Sequence, residues 1–260
     1  MSSRPPRPPA CTYPDDFSLL TSFSYRPHAD EVPLDRHVAR LERAHRVLAD
    51  RVPASWCAAT DPVSNETVST AITDALRGVE TDQRVRVTLR PPRGEPFVEC
   101  FPLTRMPSYP VKLVLDDRPT EYRDDPFLSV KTTHRMKYDA ARARRGATLE
   151  PSDAPRARPF DVILYNERNE VTETSISNIA FDFTSSSSSS SSGTEGTQWV
   201  TPPGASGLLA GVERRALLES GQLTERVVTV EQVVRAAKDG TLNVICFNGV
   251  RGVFPAFVEV

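Results

Sequence analysis

With 260 residues, 38% hydrophobic and 25% charged, the chain has the composition of a globular protein with room for one large core or two modest ones. A formal net charge of −2 and the lack of any basic run argue against a nucleic-acid partner. No apolar stretch reaches the roughly 18–20 residues of a membrane helix, and four scattered cysteines without a CxxC pair suggest reduced thiols in a cytoplasmic protein.

Residues 1–11, proline-rich and without the apolar core of a signal peptide, read as a disordered tail. DFSLLTSFSY (16–25) alternates as an early strand. PLDRHVARLERAHRVLADR puts Leu34, Val38, Leu41 and Leu48 on one helical face, with Pro33 at its first turn. SNETVSTAITDALRG predicts a second helix capped by Ser64, striped by Val68, Ile72 and Leu76, and closed by Gly78. RVRVTLR and FVECF around PPRGEP read as a hairpin, and YPVKLVLD as a further strand. These elements make 12–118 a small N-terminal domain, with 119–126 a polar, proline-bearing linker.

Residues 127–260 form the larger expected domain. FLSVK reads as a strand ending at Lys131, and THRMKYDAARARR as a helix stopped by Gly146. FDVILYN and VTETSISNIAFDF predict two strands, the second running unbroken through Ser175–Ser177. The serine-rich tract at 184–197 is expected to be a flexible surface insert. QWVTPP, a helix from Gly211, a helix over VEQVVRAAKDG and the strands LNVICFN and VFPAFVEV complete the chain.

Two residues stand out chemically. Glu173 lies in a strand destined for burial, where a carboxylate costs several kcal/mol unless a cation meets it. Only four of the 32 basic residues are lysines, and Lys112, Lys137 and Lys238 fall on a strand, an arginine-rich helix and a helix end. Lys131 is the best placed for chemistry that needs a primary amine. The Gly-rich approach to Gly211-Val212-Glu213 offers a helix N-terminus suited to an anion. Cys246 reads as a core thiol, and the four histidines show no metal spacing.

Lys131, Glu173-x-Ser-x-x-Asn178, Thr201-Pro202-Pro203 and Leu209-Ala-Gly211-Val-Glu-Arg214 occur in that order. Together they resemble the class IV aminotransferases, the fold-type IV pyridoxal-phosphate enzymes. The earlier His37-Val-Ala-Arg40-Leu41 resembles the family's first-helix motif, and CFNGVRGVFP its second phosphate loop. The resemblance runs from about residue 16 to the C-terminus. It implies a two-domain α+β fold, with a small N-terminal α/β domain and a larger, mainly β pseudo-barrel that binds pyridoxal 5′-phosphate.

By the same resemblance Lys131 is the catalytic residue and forms the Schiff base, and Glu173 faces the pyridine nitrogen. Arg40, the backbone of Gly211, Val212 and Glu213, and Asn248-Gly249 would hold the phosphate, while Leu209 packs on the ring. Thr21, His134 and Tyr138 are candidate substrate or cofactor contacts, and no metal is expected. Glu213 stands where the family often has threonine, so it is expected to act only through its backbone. The resemblance also implies a homodimer with its site near the subunit interface.

K-T-T-H-R looks closer to the K-x-x-N-R of aminodeoxychorismate lyases than to the glycine-asparagine-tyrosine of branched-chain enzymes. The expected reaction is therefore conversion of 4-amino-4-deoxychorismate to 4-aminobenzoate and pyruvate. A class IV aminotransferase acting on branched-chain or D-amino acids is the alternative, and a cofactor-binding homologue without turnover the third reading.

Overall fold

The computed structural model describes residues 16–29, 32–104, 106–122, 125–151, 158–183 and 199–260. The expected N-terminal tail and serine-rich insert lie outside these residues.

The first unit is a three-stranded antiparallel sheet under two helices. Strands β1 (Leu19–Tyr25), β2 (Gln83–Arg90) and β3 (Glu95–Pro102) lie in that order. Helices α1 (Leu34–Arg51) and α2 (Asn65–Leu76) cover one face. Pro33 stands at the N-cap position of α1, one residue before its first turn and without a side-chain cap, while the Ser64 side chain accepts a hydrogen bond from the Thr67 N–H and caps α2. The buried stripe Val38, Leu41, Ala44 and Leu48 packs on Leu19, Phe23, Val85, Val87 and Leu89. Strict alternation then turns Leu20, Ser22, Arg84 and Arg86 towards the other face.

The second unit is a mixed eight-stranded sheet. Its strands are β4 (Val111–Leu115), β5 (Asp161–Tyr165), β6 (Val171–Thr174), β7 (Asn178–Asp182), β8 (Trp199–Thr201), β9 (Leu223–Glu225), β10 (Asn243–Asn248) and β11 (Gly252–Glu259). Their order is β6-β5-β4-β11-β10-β7-β8-β9. Helices α3 (Met136–Arg145), α4 (Val212–Glu219) and α5 (Val230–Lys238) accompany it. Gly146 ends α3 in a left-handed conformation, φ 63°, which spares a side chain strain at that stop. Val111, Leu113, Ile163, Ile179, Phe181, Val244 and Phe254 form the core.

Three expectations change. Strand β4 pairs in parallel with β11 and β5, so the large sheet already begins at Val111, before the boundary expected at 118. Its mostly apolar sequence, VKLVL, broken only by Lys112, suits a strand largely covered on both faces. The predicted strand before Lys131 is instead a single 3-10 turn, Pro126–Leu128, with the Asp125 carboxylate accepting the Phe127 N–H at 2.9 Å. The long strand 171–183 is broken at Ser175–Ser177 into β6 and β7.

The two units meet along the free edge of β1. Leu20 N donates to Lys131 O at 3.0 Å, Thr133 N to Ser18 O at 2.9 Å, and Ser24 N to Gly249 O at 2.9 Å. Backbone pairing thus holds the Lys131 segment and the β10–β11 turn on either side of one cleft.

Candidate active site

Lys131 is held by its main chain rather than by strand membership. Its carbonyl pairs with β1, and its neighbour Thr132 is buried and bridges Leu19. The side chain lines the cleft. Burial, reinforced by the Arg40 and Arg135 guanidiniums, brings the amine down to about 7 from an ordinary 10.5. Near neutral pH a large fraction of it is therefore an uncharged base.

Glu173 reaches the same cavity from β6. The break after it comes from β5: the buried Asp161 carboxylate accepts the Ser175 hydroxyl at 2.5 Å, the Val162 N–H at 2.8 Å and the Ile176 N–H at 3.3 Å. Chain direction changes there, and Ser175, Ile176 and Ser177 turn into the cavity wall. The Glu173 carboxylate accepts hydrogen bonds from the Tyr138 hydroxyl at 2.7 Å, the Leu209 N–H at 3.2 Å and the Asn178 amide at 3.3 Å. Among the described residues it has no ion pair. Burial pushes its pKa up to about 8 against the pull of those bonds.

At the opposite end stands Arg40, from the cavity-facing side of α1. One guanidinium nitrogen donates to the Thr21 hydroxyl, which is 2.8 Å from His37 Nδ1. Burial and the Arg40 charge bring His37 down to about 3, so its ring is neutral. Arg40 Nε is buried without a partner, and no carboxylate pairs with the group among the described residues. Helix α4 starts beside it at Gly211, with no side chain capping its first N–H groups. A Cβ on Gly211 would lie 2.1 Å from Asn178 Oδ1, so only glycine admits this approach. Asn178 in turn donates to Leu209 O at 2.9 Å.

One cavity of about 260 Å³ gathers Lys131, Glu173, Arg40, Leu209, Gly211, Val212, Asn248, Gly249, His134 and Tyr138 from the sequence-based set. Two members fall outside it. Thr21 is fully buried on the α1 face of β1; its neighbours Leu20 and Ser22 face the cavity, because adjacent strand residues point oppositely. Glu213 lines a separate recess with His37 and Ser24. The Asn248 side chain is also committed: it accepts the Val250 and Arg251 N–H groups and donates to Ser177 Oγ at 2.9 Å. That leaves it as a brace for the turn. Sequence reasoning missed Ser22, Arg84, Arg86, Arg135 and Arg251 on the wall. The alternation in RVRVTLR and the arginine of KTTHR were the available signals.

The sequence model of the family described as Amino-transferase class IV matches residues 21–256, which contain every one of these groups. The chain belongs to the class IV aminotransferases. A Schizosaccharomyces pombe protein named "Putative aminodeoxychorismate lyase" is 33% identical over 132 residues, 51% of this chain and 49% of that protein. The match thus spans about half the length of that curated relative. A Mesorhizobium loti structure of a "Putative amino-acid aminotransferase" superposes with a TM-score of 0.72 at 25% identity, over 94% of this chain and 100% of that one. The 4-amino-4-deoxychorismate lyase of Pseudomonas aeruginosa gives 0.62 at 19% identity, over 97% and 88%. The fold is the two-domain fold of these enzymes.

The cofactor of class IV aminotransferases is pyridoxal 5′-phosphate, and this cavity suits it. A buried acid without a cation lies at one end, where the ring nitrogen supplies one. A buried guanidinium without an anion lies at the other, beside an uncapped helix start, where a phosphate fits. Between them is an amine held near neutrality.

Proposed function

We propose that this class IV aminotransferase family member is a lyase that converts 4-amino-4-deoxychorismate to 4-aminobenzoate and pyruvate. The observation that carries the reading is the Lys131 amine, brought to about 7 in a cavity shared with Glu173 and Arg40. The relative from S. pombe, by its name, supports the lyase over other reactions of the family.

When bound, pyridoxal phosphate would supply an electron sink for the carbon beside the substrate's amino group. Arg40 and the N–H groups of Val212 and Glu213 would hold the phosphate. Glu173, braced by Tyr138, Leu209 and Asn178, would offer its charge to the ring nitrogen, and Leu209 would pack on the ring. Lys131 Nζ removes the ring proton beside the substrate amine. The enolpyruvyl oxygen departs with the C–O electron pair, and the enol takes back a proton as pyruvate. His134 and Tyr138 are placed to contact the bound molecules. The working form is a cytoplasmic homodimer, as the family resemblance implies.

A second reading is a class IV aminotransferase acting on branched-chain or D-amino acids, favoured by the full-length likeness to the M. loti structure. The two separate in one experiment. Purified protein with aminodeoxychorismate should release 4-aminobenzoate and pyruvate in equal amounts. Glutamate-dependent amination of a keto acid without 4-aminobenzoate would replace the lyase by the aminotransferase. Bound cofactor with neither activity would leave a homologue without turnover.

A further inference from the structure

The segment that carries Glu173 grips the β8–α4 loop twice. Inside the cavity, Glu173 accepts the Leu209 N–H at 3.2 Å. Three residues earlier, outside the cavity lining, Glu170 accepts the hydroxyl of Ser206, three residues before Leu209, at 3.0 Å. Only the inner grip enters the chemistry proposed above.

Glu170 is the hub of a clamp. Arg168 meets its carboxylate with two hydrogen bonds, from Nε at 3.0 Å and from a terminal nitrogen at 2.7 Å, and the Asn166 amide donates to it at 2.8 Å. The same two side chains hold the loop's main chain: Asn166 donates to Ser206 O at 2.8 Å and Arg168 to Ala205 O at 3.3 Å. Asn166 Oδ1 also accepts the Arg168 and Glu170 N–H groups, at 2.9 and 3.1 Å, which braces the β5–β6 turn itself. The contacts with residues 205–206 therefore serve the loop. Chiefly the Arg168 hydrogen bonds, aided by those of Asn166 and Ser206, hold the Glu170 carboxyl down at about 2, so the clamp stays charged at neutral pH.

The loop has little stiffness of its own. Residues 202–211 read PPGASGLLAG, with glycine at 204, 207 and 211. Gly207 takes φ 92°, and a Cβ there would lie 2.6 Å from the Tyr122 ring, so the chain passes close against that ring on its way to Leu209. Leu209 then makes three commitments at once. Its N–H goes to Glu173, its carbonyl accepts the Asn178 amide at 2.9 Å, and it lines the cavity. Precise placement of such a residue needs an outer support, and the clamp is the one built beside it.

Resting on the assignment of this cavity as the cofactor site, we propose that Glu170 is a positioning residue. Through Ser206 it sets where Leu209 stands, and so how Glu173 and the cofactor ring are held.

The test uses the cofactor-loaded protein and two readouts besides turnover. These are the pyridoxal-phosphate dissociation constant, by absorbance titration, and the visible circular dichroism of the bound cofactor, which follows ring orientation. Glu170→Gln sets an amide donor against Arg168 and opens the clamp. Ser206→Ala removes a single hydroxyl and decides the matter should Glu170→Gln fail to fold. Each should weaken cofactor binding by about fivefold, the size of one hydrogen bond, and diminish the dichroism. Glu167→Gln, in the same turn but outside the clamp, should change neither. Leu209→Ala should also weaken binding, and adding Glu170→Gln to it should cost at most about twofold more, because residues that act through one another are not additive. Readouts for Glu170→Gln and Ser206→Ala that match Glu167→Gln, whatever the loss of stability, overturn the proposal. So does a full fivefold loss on top of Leu209→Ala. A Leu209→Ala protein with unaltered affinity and dichroism overturns the assignment of the cavity itself, and this inference with it.

Discussion

Replacing Glu173 by Gln should stabilise the cofactor-free protein and disable the loaded one. At pH 7 an acid whose pKa is about 8 instead of 4.5 costs the empty fold about 3 kcal/mol, because ionisation favoured in the unfolded chain is suppressed in the native one. The amide escapes that cost. Its oxygen can keep the Tyr138 and Leu209 hydrogen bonds, but its nitrogen then faces the Asn178 amide donor now 3.3 Å from the carboxylate. Asn178 cannot turn to compensate, held by Leu209 O and pressed by Gly211, so about 1 kcal/mol is lost again. The balance is about 2 kcal/mol in favour of the variant, or about 4–8 °C in melting temperature. The sign with pH follows from a raised native pKa: the wild-type contribution is full below 4.5 and is lost as pH rises through about 8. The variant's advantage should therefore vanish near pH 5, where the ionisation cost has fallen to about 1 kcal/mol, turn into a small deficit below it, and be largest above about pH 8. Catalysis should move the other way, 4-aminobenzoate formation falling at least about a hundredfold, or about 3 kcal/mol of transition-state stabilisation. Visible absorbance of bound cofactor should persist, since Lys131, Arg40 and the α4 start remain. A folded, coloured and fully active Gln variant would refute the role given to this carboxylate.

Three further outcomes are expected. Tyr138→Phe removes a hydrogen bond that lowers the Glu173 pKa, so the pH at which cofactor-free stability is lost should move above about 8; melting curves against pH that do not shift would contradict this. Gly211→Ala places a methyl 2.1 Å from Asn178 Oδ1 and should cost about 1–3 kcal/mol by chemical denaturation, with weaker cofactor binding. An unchanged denaturation midpoint would show that the approach is not obligatory. Arg40→Met should weaken pyridoxal phosphate by at least about tenfold while leaving phosphate-free pyridoxal nearly unaffected, measured by absorbance titration. Equal losses for both would remove Arg40 from the phosphate.

Local periodicity made much of this architecture readable. Val38, Leu41 and Leu48 announce α1, Ser64 and Gly78 bracket α2, and the alternation of RVRVTLR marks β2 with its neighbour across the turn. What sequence concealed depends on distant partners. The break at Ser175–Ser177 is made by Asp161, fourteen residues before Ser175, whose carboxylate captures backbone and hydroxyl donors that a strand would spend elsewhere. The sheet that β4 joins is chosen by β11, about 140 residues downstream, and parallel pairing leaves only a mostly apolar stretch, broken by Lys112, as its trace. The 3-10 turn before Lys131 was locally marked by Asp125-Pro126, a side-chain cap followed by a first-turn proline. In the site, the lysine, the acid and the glycine start of α4 were legible as a spaced motif. Thr21 failed by one residue, because strand phase decides which neighbour meets the cavity. The arginines of β2 were visible as alternation, but their convergence with Arg251 needed the fold.

The most direct test of the account is to reduce the loaded protein with borohydride and map the peptide that carries the cofactor. Lys112 is paired with Glu259 at 2.6 Å, Lys137 with Asp125 at 3.0 Å, and Lys238 is exposed at the end of α5, away from the cavity lining. Only Lys131 joins a depressed pKa to a place between Glu173 and Arg40. Stoichiometric label on the Lys131 peptide is the predicted result; label on Lys112, Lys137 or Lys238, with Lys131 unmodified, would contradict the assignment of the site.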